Sequence, residues 1–184
     1  MESGNAIGVV EVISVAKGIE VSDAMLKAAD VEVLMSSSTC PGKYIVLVRG
    51  EVAAVSSSVE AGKKIAADTL IDDMVIANVH PQIFPAMSAT TAIDNIKAIG
   101  MIETYSVASC ILAADQAVKS ADVTLIELRL ARALCGKSFV LMTGEVAAVK
   151  SAIDAGINRV KGQGLVMSST VIPSPHKDLL QFLL

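Results

Sequence analysis

Apolar residues arrive along this chain in short runs separated by polar turns, and the spacing within each run names its element. "AIGVVEVI" (Ala6 to Ile13) is a continuous β-prone run, and "GIEVSDAMLKAA" (Gly18 to Ala29) then sets Ala24, Met25, Ala28 and Ala29 at helical spacing. "VEVLM" (Val31 to Met35) and "YIVLV" (Tyr44 to Val48) flank a Pro-Gly turn and predict a hairpin. Next, "EVAAVSSSVEAGKKIAADTL" aligns Val52, Val55, Val59 and Ala66 on one helical face, and "MVIANV" (Met74 to Val79) closes the series as a strand. The order β-α-β-β-α-β predicts a ferredoxin-like α+β unit, one antiparallel sheet carrying both helices on a single face.

The same series then runs a second time. "GEVAAV" occurs at Gly50 to Val55 and at Gly144 to Val149, an offset of 94, and "AIGVVEVISVA" (Ala6 to Ala16) matches "AIGMIETYSVA" (Ala98 to Ala108) at an offset of 92. "DAMLKAADV" (Asp23 to Val31) matches "DQAVKSADV" (Asp115 to Val123) at that same offset. The change of offset places a two-residue insertion between Asp122 and Gly136, near the second hairpin tip. Val146, Val149, Ile153, Ile157 and Val160 repeat the helical stripe. "HPQIFPAMSATTAIDN" (His80 to Asn95), rich in proline and small polar residues, reads as the linker, so the expected division is a first domain over 1–92 and a second over 93–184.

Composition changes this picture in one respect. Of the 184 residues, 53% are hydrophobic and only 18% charged, with a mean hydropathy of +0.60. Yet uncharged stretches such as "TYSVASCILAA" (Thr104 to Ala114) are too short to span a bilayer. Small domains bury a low fraction of their surface, so part of this apolar excess is expected against other subunits. The start "MESGNAIG" carries no secretory pattern, and three cysteines form neither an even disulfide set nor a CxxC, which predicts a reduced, cytosolic protein. A net charge of −4, scattered Lys and Arg, and 3% aromatic residues supply neither a basic stripe nor stacking platforms for nucleic acid.

"AIGVVEVISVAKG", "DAMLKAADVE", the "GK" after a tight turn, "GEVAAVSSSVEAG" and the closing "VIPSPH" (Val171 to His176) together resemble the shell-protein domain of bacterial microcompartments, and the resemblance covers both halves. Two such domains in one chain, with a cysteine in the first tip, are similar to the tandem-domain, iron–sulfur-bearing type found in propanediol-utilisation compartments. The resemblance implies a homotrimer whose six domains imitate a hexamer. It also implies tiling with neighbouring shell proteins into a sheet around encapsulated enzymes, possible redox partners, and hairpin tips lining a central pore. Lys27 and Lys119 match the family's edge lysines. The arginine usual between the two prolines of the final motif is replaced by Ser174, whose expected first-copy counterpart is Gln82.

Residues at matching places in both copies are expected to be scaffold, because both copies must fold and join the same ring. That assigns Glu11 with Glu103 and Asp23 with Asp115 to helix starts or subunit contacts. His80 and His176 stand beside prolines without a metal-ligand spacing, no phosphate-binding glycine loop occurs, and no set of residues forms a catalytic constellation. The asymmetric residue is Cys40. Cys40-Pro41-Gly42-Lys43 fits a type II turn, with the thiol held at a stiff tip. Cys110, in "SVASCILAA", is expected to be buried, whereas Cys135 in "LCGK" lies at the second tip as a pore thiol or a packed one.

One thiol per chain cannot hold an iron–sulfur cube. Three chains around a threefold axis would bring three Cys40 thiolates to one point, and the resemblance implies the same: a 4Fe–4S cluster, one per trimer, at a pore lined by Ser38, Thr39, Cys40, Pro41, Gly42, Cys135 and Gly136. The expected function is a non-enzymatic shell subunit serving electron transfer or cluster passage across the shell. The alternatives are an open pore for small polar metabolites, a soluble ferredoxin-like small-molecule sensor and, weakest, a dithiol enzyme using Cys40 and Cys135.

Overall fold

In the computed structural model, which describes residues 4–93, 95–163 and 165–181, each repeat folds as the spacing predicts. Met1–Ser3 of the opening segment and Asp94 of the expected linker lie outside the described residues. The first repeat runs β1 (Ala6–Val12), α1 (Val15–Ala28), β2 (Glu32–Thr39), β3 (Lys43–Gly50), α2 (Val52–Ala66) and β4 (Leu70–Ile76). The second runs β5 (Ala98–Thr104), α4 (Val107–Ser120), β6 (Val123–Arg129), β7 (Ser138–Gly144), α5 (Val146–Val160) and β8 (Val166–Ile172). Two short helices follow the repeats, α3 (Ile83–Met87) and α6 (Lys177–Leu180). The sheets are antiparallel throughout, ordered β2-β3-β1-β4 and β6-β7-β5-β8, which is the ferredoxin-like arrangement.

Local chemistry accounts for the helix limits. α1 begins three residues earlier than the hydrophobic spacing suggested, because the Ser14 hydroxyl accepts the Lys17 amide at 3.3 Å and caps the first turn. Its buried stripe is Gly18, Val21 and Met25, while Ala28 on the expected face is exposed. In α2 the stripe is Val55, Val59 and Ala66 as expected, but Val52 in the first turn is exposed. In α5 Val149, Ile153 and Val160 are buried, and Val146 and Ile157 only half so. Val10, Val12, Val46 and Val48 meet α1 and α2 in the first core, each burial contributing about 1.5–3 kcal/mol. The Ser58 hydroxyl, donating to the Met25 carbonyl at 3.0 Å, ties α2 to α1 inside that core.

By packing, the chain divides into two compact units that do not follow the repeat boundary. The first takes Met1–Val79, Ser106–Ala108 and Ala131–Gly136; the second takes His80–Tyr105, Ser109–Leu130 and Lys137–Leu184. The first unit therefore holds the second repeat's hairpin tip and the start of its first helix. Most of the expected linker belongs to the second unit, where α3 packs along β6.

The strand registers also correct one equivalence. Ile7 faces Ile76, and its counterpart Ile99 faces Ile172, so the last strands correspond at an offset of 96. A second two-residue insertion, ahead of β8, pushes the C-terminal segments out of the alignment read from the sequence. Ser174 thus corresponds to Asn78 rather than to Gln82, and His80 corresponds to His176. The backbone shows the equivalence directly. His80 Nδ1 accepts the Gln82 amide and His176 Nδ1 the Asp178 amide, both at 3.3 Å, and each histidine carbonyl accepts the amide three residues on at 3.0 Å.

Candidate functional site: the paired hairpin tips

Within the first unit the first tip closes more tightly than the sequence suggested. Thr39 pairs with Lys43 at the end of the β2–β3 ladder, and the Thr39 carbonyl accepts the Gly42 amide at 2.9 Å. The Cys40–Pro41 peptide is cis, so the turn is Thr39 to Gly42 with a cis proline at its third position, a type VI turn, instead of the expected type II turn starting at Cys40. Gly42, at φ +91°, takes the left-handed conformation that returns the chain to β3. The second tip is longer: β6 ends at Arg129 and β7 resumes at Ser138, with Ala131, Ala133 and Cys135 all at positive φ between them.

The two tips meet in this unit. The Lys43 ammonium donates to the Gly136 carbonyl at 3.3 Å. A Cβ placed on Gly136, at φ +81°, would lie 3.0 Å from the Cys40 carbonyl oxygen and 3.0 Å from Pro41 Cδ, so a larger residue there would be both strained and crowded. A hollow beside the contact is lined by Val15, Ser38, Thr39, Cys40, Gly42 and Arg132, among others. Cys40 and Cys135 are free and exposed, whereas Cys110 is buried as expected. Of the residues expected at a pore, Cys40, Pro41 and Gly136 lie at the tip-to-tip contact and Ser38, Thr39 and Gly42 line the hollow.

Behind the first tip stands a buried ion pair that sequence reasoning had put down only as scaffold. Glu11, fully buried on β1, accepts the Lys43 ammonium at 2.9 Å and the amide of Val107, first residue of α4, at 2.8 Å. Burial pushes the Glu11 carboxyl above its ordinary range, against the Lys43 charge and the Val107 N–H, which favour the ionised form. Next to it, the Ser106 hydroxyl donates to the Asp72 carboxylate. In the second unit Glu103 makes the corresponding pair with Lys137 at 2.6 Å, but both side chains remain partly exposed. The signal that could have found this site is the matched Glu and Gly-Lys in both repeats.

The other sequence-expected positions lie apart. Lys27 and Lys119 each pair with the aspartate four residues earlier, Asp23 at 2.7 Å and Asp115 at 2.6 Å. Lys27 is well exposed; Asp115 is buried and also accepts the His80 amide at 2.8 Å. Gln82 was missed as a contact residue. Its side chain accepts the Leu125 amide at 2.8 Å and donates to the Val123 carbonyl at 3.4 Å, so α3 is stitched to the edge of β6. Among the described residues, no group of three His, Cys, Asp or Glu is placed to hold a metal ion, and no helix is long and apolar enough to cross a membrane.

Comparison with known proteins follows the two sequence repeats. The BMC domain family matches residues 6–79 and again 98–175. The chain is 40% identical over 174 residues to the bacterial microcompartment shell protein PduT of Citrobacter freundii, covering 95% of each chain. It is 40% identical over 87 residues to the shell protein PduA of the same organism, a match taking in 47% of this chain and 91% of PduA. A solved structure, a microcompartments protein from Desulfitobacterium hafniense DCB, superposes with a TM-score of 0.85 at 52% identity, covering 96% of this chain and 98% of that one.

Proposed function

Because the chain belongs to the BMC domain family, we propose that it is a structural, non-enzymatic subunit of a bacterial microcompartment shell, closing as a homotrimer of six domains and tiling with neighbouring shell proteins. The observation that carries this reading is the double domain match within one chain, with full-length similarity to a named shell protein. The relatives reported are shell or microcompartment proteins by name, which favours this reading over the soluble sensor and the dithiol enzyme. Electron microscopy of the overexpressed protein tests it. Flat sheets or tubes are expected, and discrete particles under all assembly conditions would refute tiling.

The tip chemistry adds a finer reading. Cys40 is an exposed free thiol on a turn held by the Lys43–Gly136 contact, and a thiolate there is a soft ligand suited to iron. One chain does not hold a cluster by itself among its described residues, so a cluster needs the tips of three chains. We therefore assign to Cys40 the role of holding a 4Fe–4S cluster, one per trimer, at the ring centre; when bound, such a group supplies one-electron transfer across the shell. Iron and sulfide analysis of anaerobically purified protein is expected to give about four irons per trimer, lost in Cys40→Ser with the trimer intact. Iron retained in Cys40→Ser and lost in Cys135→Ser would move the site to the second tip. Iron-free wild type would leave an open pore for small polar metabolites, bordered by the Ser38 and Thr39 hydroxyls.

A further inference from the structure

Of the cationic side chains at the two tips, Lys43 is committed to Glu11 at 2.9 Å and to the Gly136 carbonyl at 3.3 Å. Arg132 is not. It is exposed on the second tip and makes no ion pair or hydrogen bond among the described residues, whereas Arg129 pairs with Glu127 at 2.7 Å. A guanidinium fork without a carboxylate is a bidentate receptor for one. The hollow that Arg132 lines has a volume of about 490 Å³, within the range of small-ligand sites, and among the described residues no Asp or Glu lines it. The rest of the wall suits the same kind of ligand. Ala131, Ala133 and Cys135 take φ of +55°, +57° and +50°, and Arg132 and Leu134 between them do not. A backbone that alternates in hand in this way turns successive N–H groups towards one concave side, an arrangement that receives anions. Ala131 and Ala133 line the hollow together with Val15, whose side chain adds apolar surface, and with the Ser38 hydroxyl, which has no partner among the described residues. The Cys40 thiol stands in the same wall.

We propose that this hollow is a binding site for short-chain aliphatic carboxylates. The carboxylate accepts from the Arg132 guanidinium and the Ser38 hydroxyl, and the carbon chain lies on Val15, Ala131 and Ala133. A bound acid then sits against Cys40 and shields its thiol. All these residues belong to the first compact unit of a single chain, so the site needs neither the ring nor a cluster, and its failure would leave the shell reading standing.

The test uses iodoacetate, itself a short carboxylate, on iron-free Cys135→Ser protein, in which Cys40 is the exposed thiol and Cys110 is buried. The Cys40 thiolate displaces iodide, forming an S–C bond and releasing the iodide ion, and mass spectrometry follows the gain. Iodoacetamide, which lacks the charge, is the reference reagent. Alkylation by iodoacetate is expected to saturate with concentration and, at low concentration, to exceed that by iodoacetamide about tenfold. Butyrate should slow it and butyramide should not, and Arg132→Gln should remove the preference while Cys40 still reacts with iodoacetamide. Calorimetric titration of butyrate into wild type and Arg132→Gln gives a readout free of thiol chemistry, with binding expected only in wild type. Equal rates for the two reagents, or no butyrate binding to wild type, would overturn the site. A preference that never saturates and is lowered as much by sodium chloride as by butyrate at equal ionic strength would reduce it to long-range attraction. Inorganic phosphate protecting Cys40 as well as butyrate does would overturn the aliphatic part of the assignment.

Discussion

α1 with β2 and α4 with β6 are the same element pair written twice, yet one is open and the other closed. Ile19 on α1 is 59% exposed, whereas Ile111, its counterpart on α4, is fully buried. Val33 on β2 and Leu125 on β6 differ in the same sense. Neither the helical period nor the strand alternation differs between the copies, so the difference lies in what covers them. In the second unit β6 is sealed by α3 and by the two hydrogen bonds of Gln82. An apolar residue in a repeat is therefore not a core residue until its cover is identified.

Placing a charge on the two equivalent strands should break this comparison most sharply. Leu125→Asp buries an unpaired carboxylate and is expected to cost about 3–5 kcal/mol, a large share of a domain's stability. Val33→Asp is expected to leave the monomer's urea midpoint within about 0.5 kcal/mol of wild type and to weaken only the association measured by sedimentation. Equal destabilisation of the two would mean that β2 is already covered within one chain. Glu11→Ala and Glu103→Ala come next. Removing Glu11 strands the Lys43 ammonium in a buried setting and should cost about 3 kcal/mol, whereas removing the half-exposed Glu103 should cost the isolated chain under about 1 kcal/mol in denaturant melts.

A smaller effect follows from the Glu11 carboxyl, whose folded-state pKa lies above its unfolded value. A raised folded pKa means stability present below the ordinary carboxyl range and lost as pH rises through the folded value. Glu11→Gln should therefore flatten the fall in stability between that range and neutrality, seen as urea midpoints that vary less with pH than those of wild type. The smallest change in stability is expected from Lys27→Ala with Lys119→Ala. Each lysine makes an i to i+4 pair worth about 0.5 kcal/mol, so the fold and the trimer should persist while sheets seen by electron microscopy are lost. Unaltered sheets would reassign both lysines to helix capping.

Much of the fold was legible in the sequence because it depends on local spacing. The paired GEVAAV segments, the alternating apolar runs and the Gly-Lys turns named two β-α-β-β-α-β copies, and the cysteine beside a Pro-Gly turn singled out the tip. What depended on a partner distant in sequence was not legible. Glu11 looked like scaffold because its role needs the Val107 amide, 96 residues away in the other repeat, and Gln82 looked like linker because its acceptor and donor lie on β6. The cis geometry at Pro41 escaped because the residues also fit an ordinary turn. The equivalence of Ser174 with Gln82 failed because an insertion ahead of β8 leaves no local trace, whereas strand register counts it directly.

By itself, then, the sequence determined the secondary structure, the duplication and the three thiols, since periodicity and turn chemistry act over a few residues. Only the tertiary structure decided that the second tip packs in the first unit, that Glu11 is buried while Glu103 is not, and that one edge of the duplicated design is sealed and the other bare. The physical reason is that a residue's own period fixes which way it points, but burial is set by whatever comes to lie opposite. In a duplicated chain the same residue can have its cover in one copy and await it in the other.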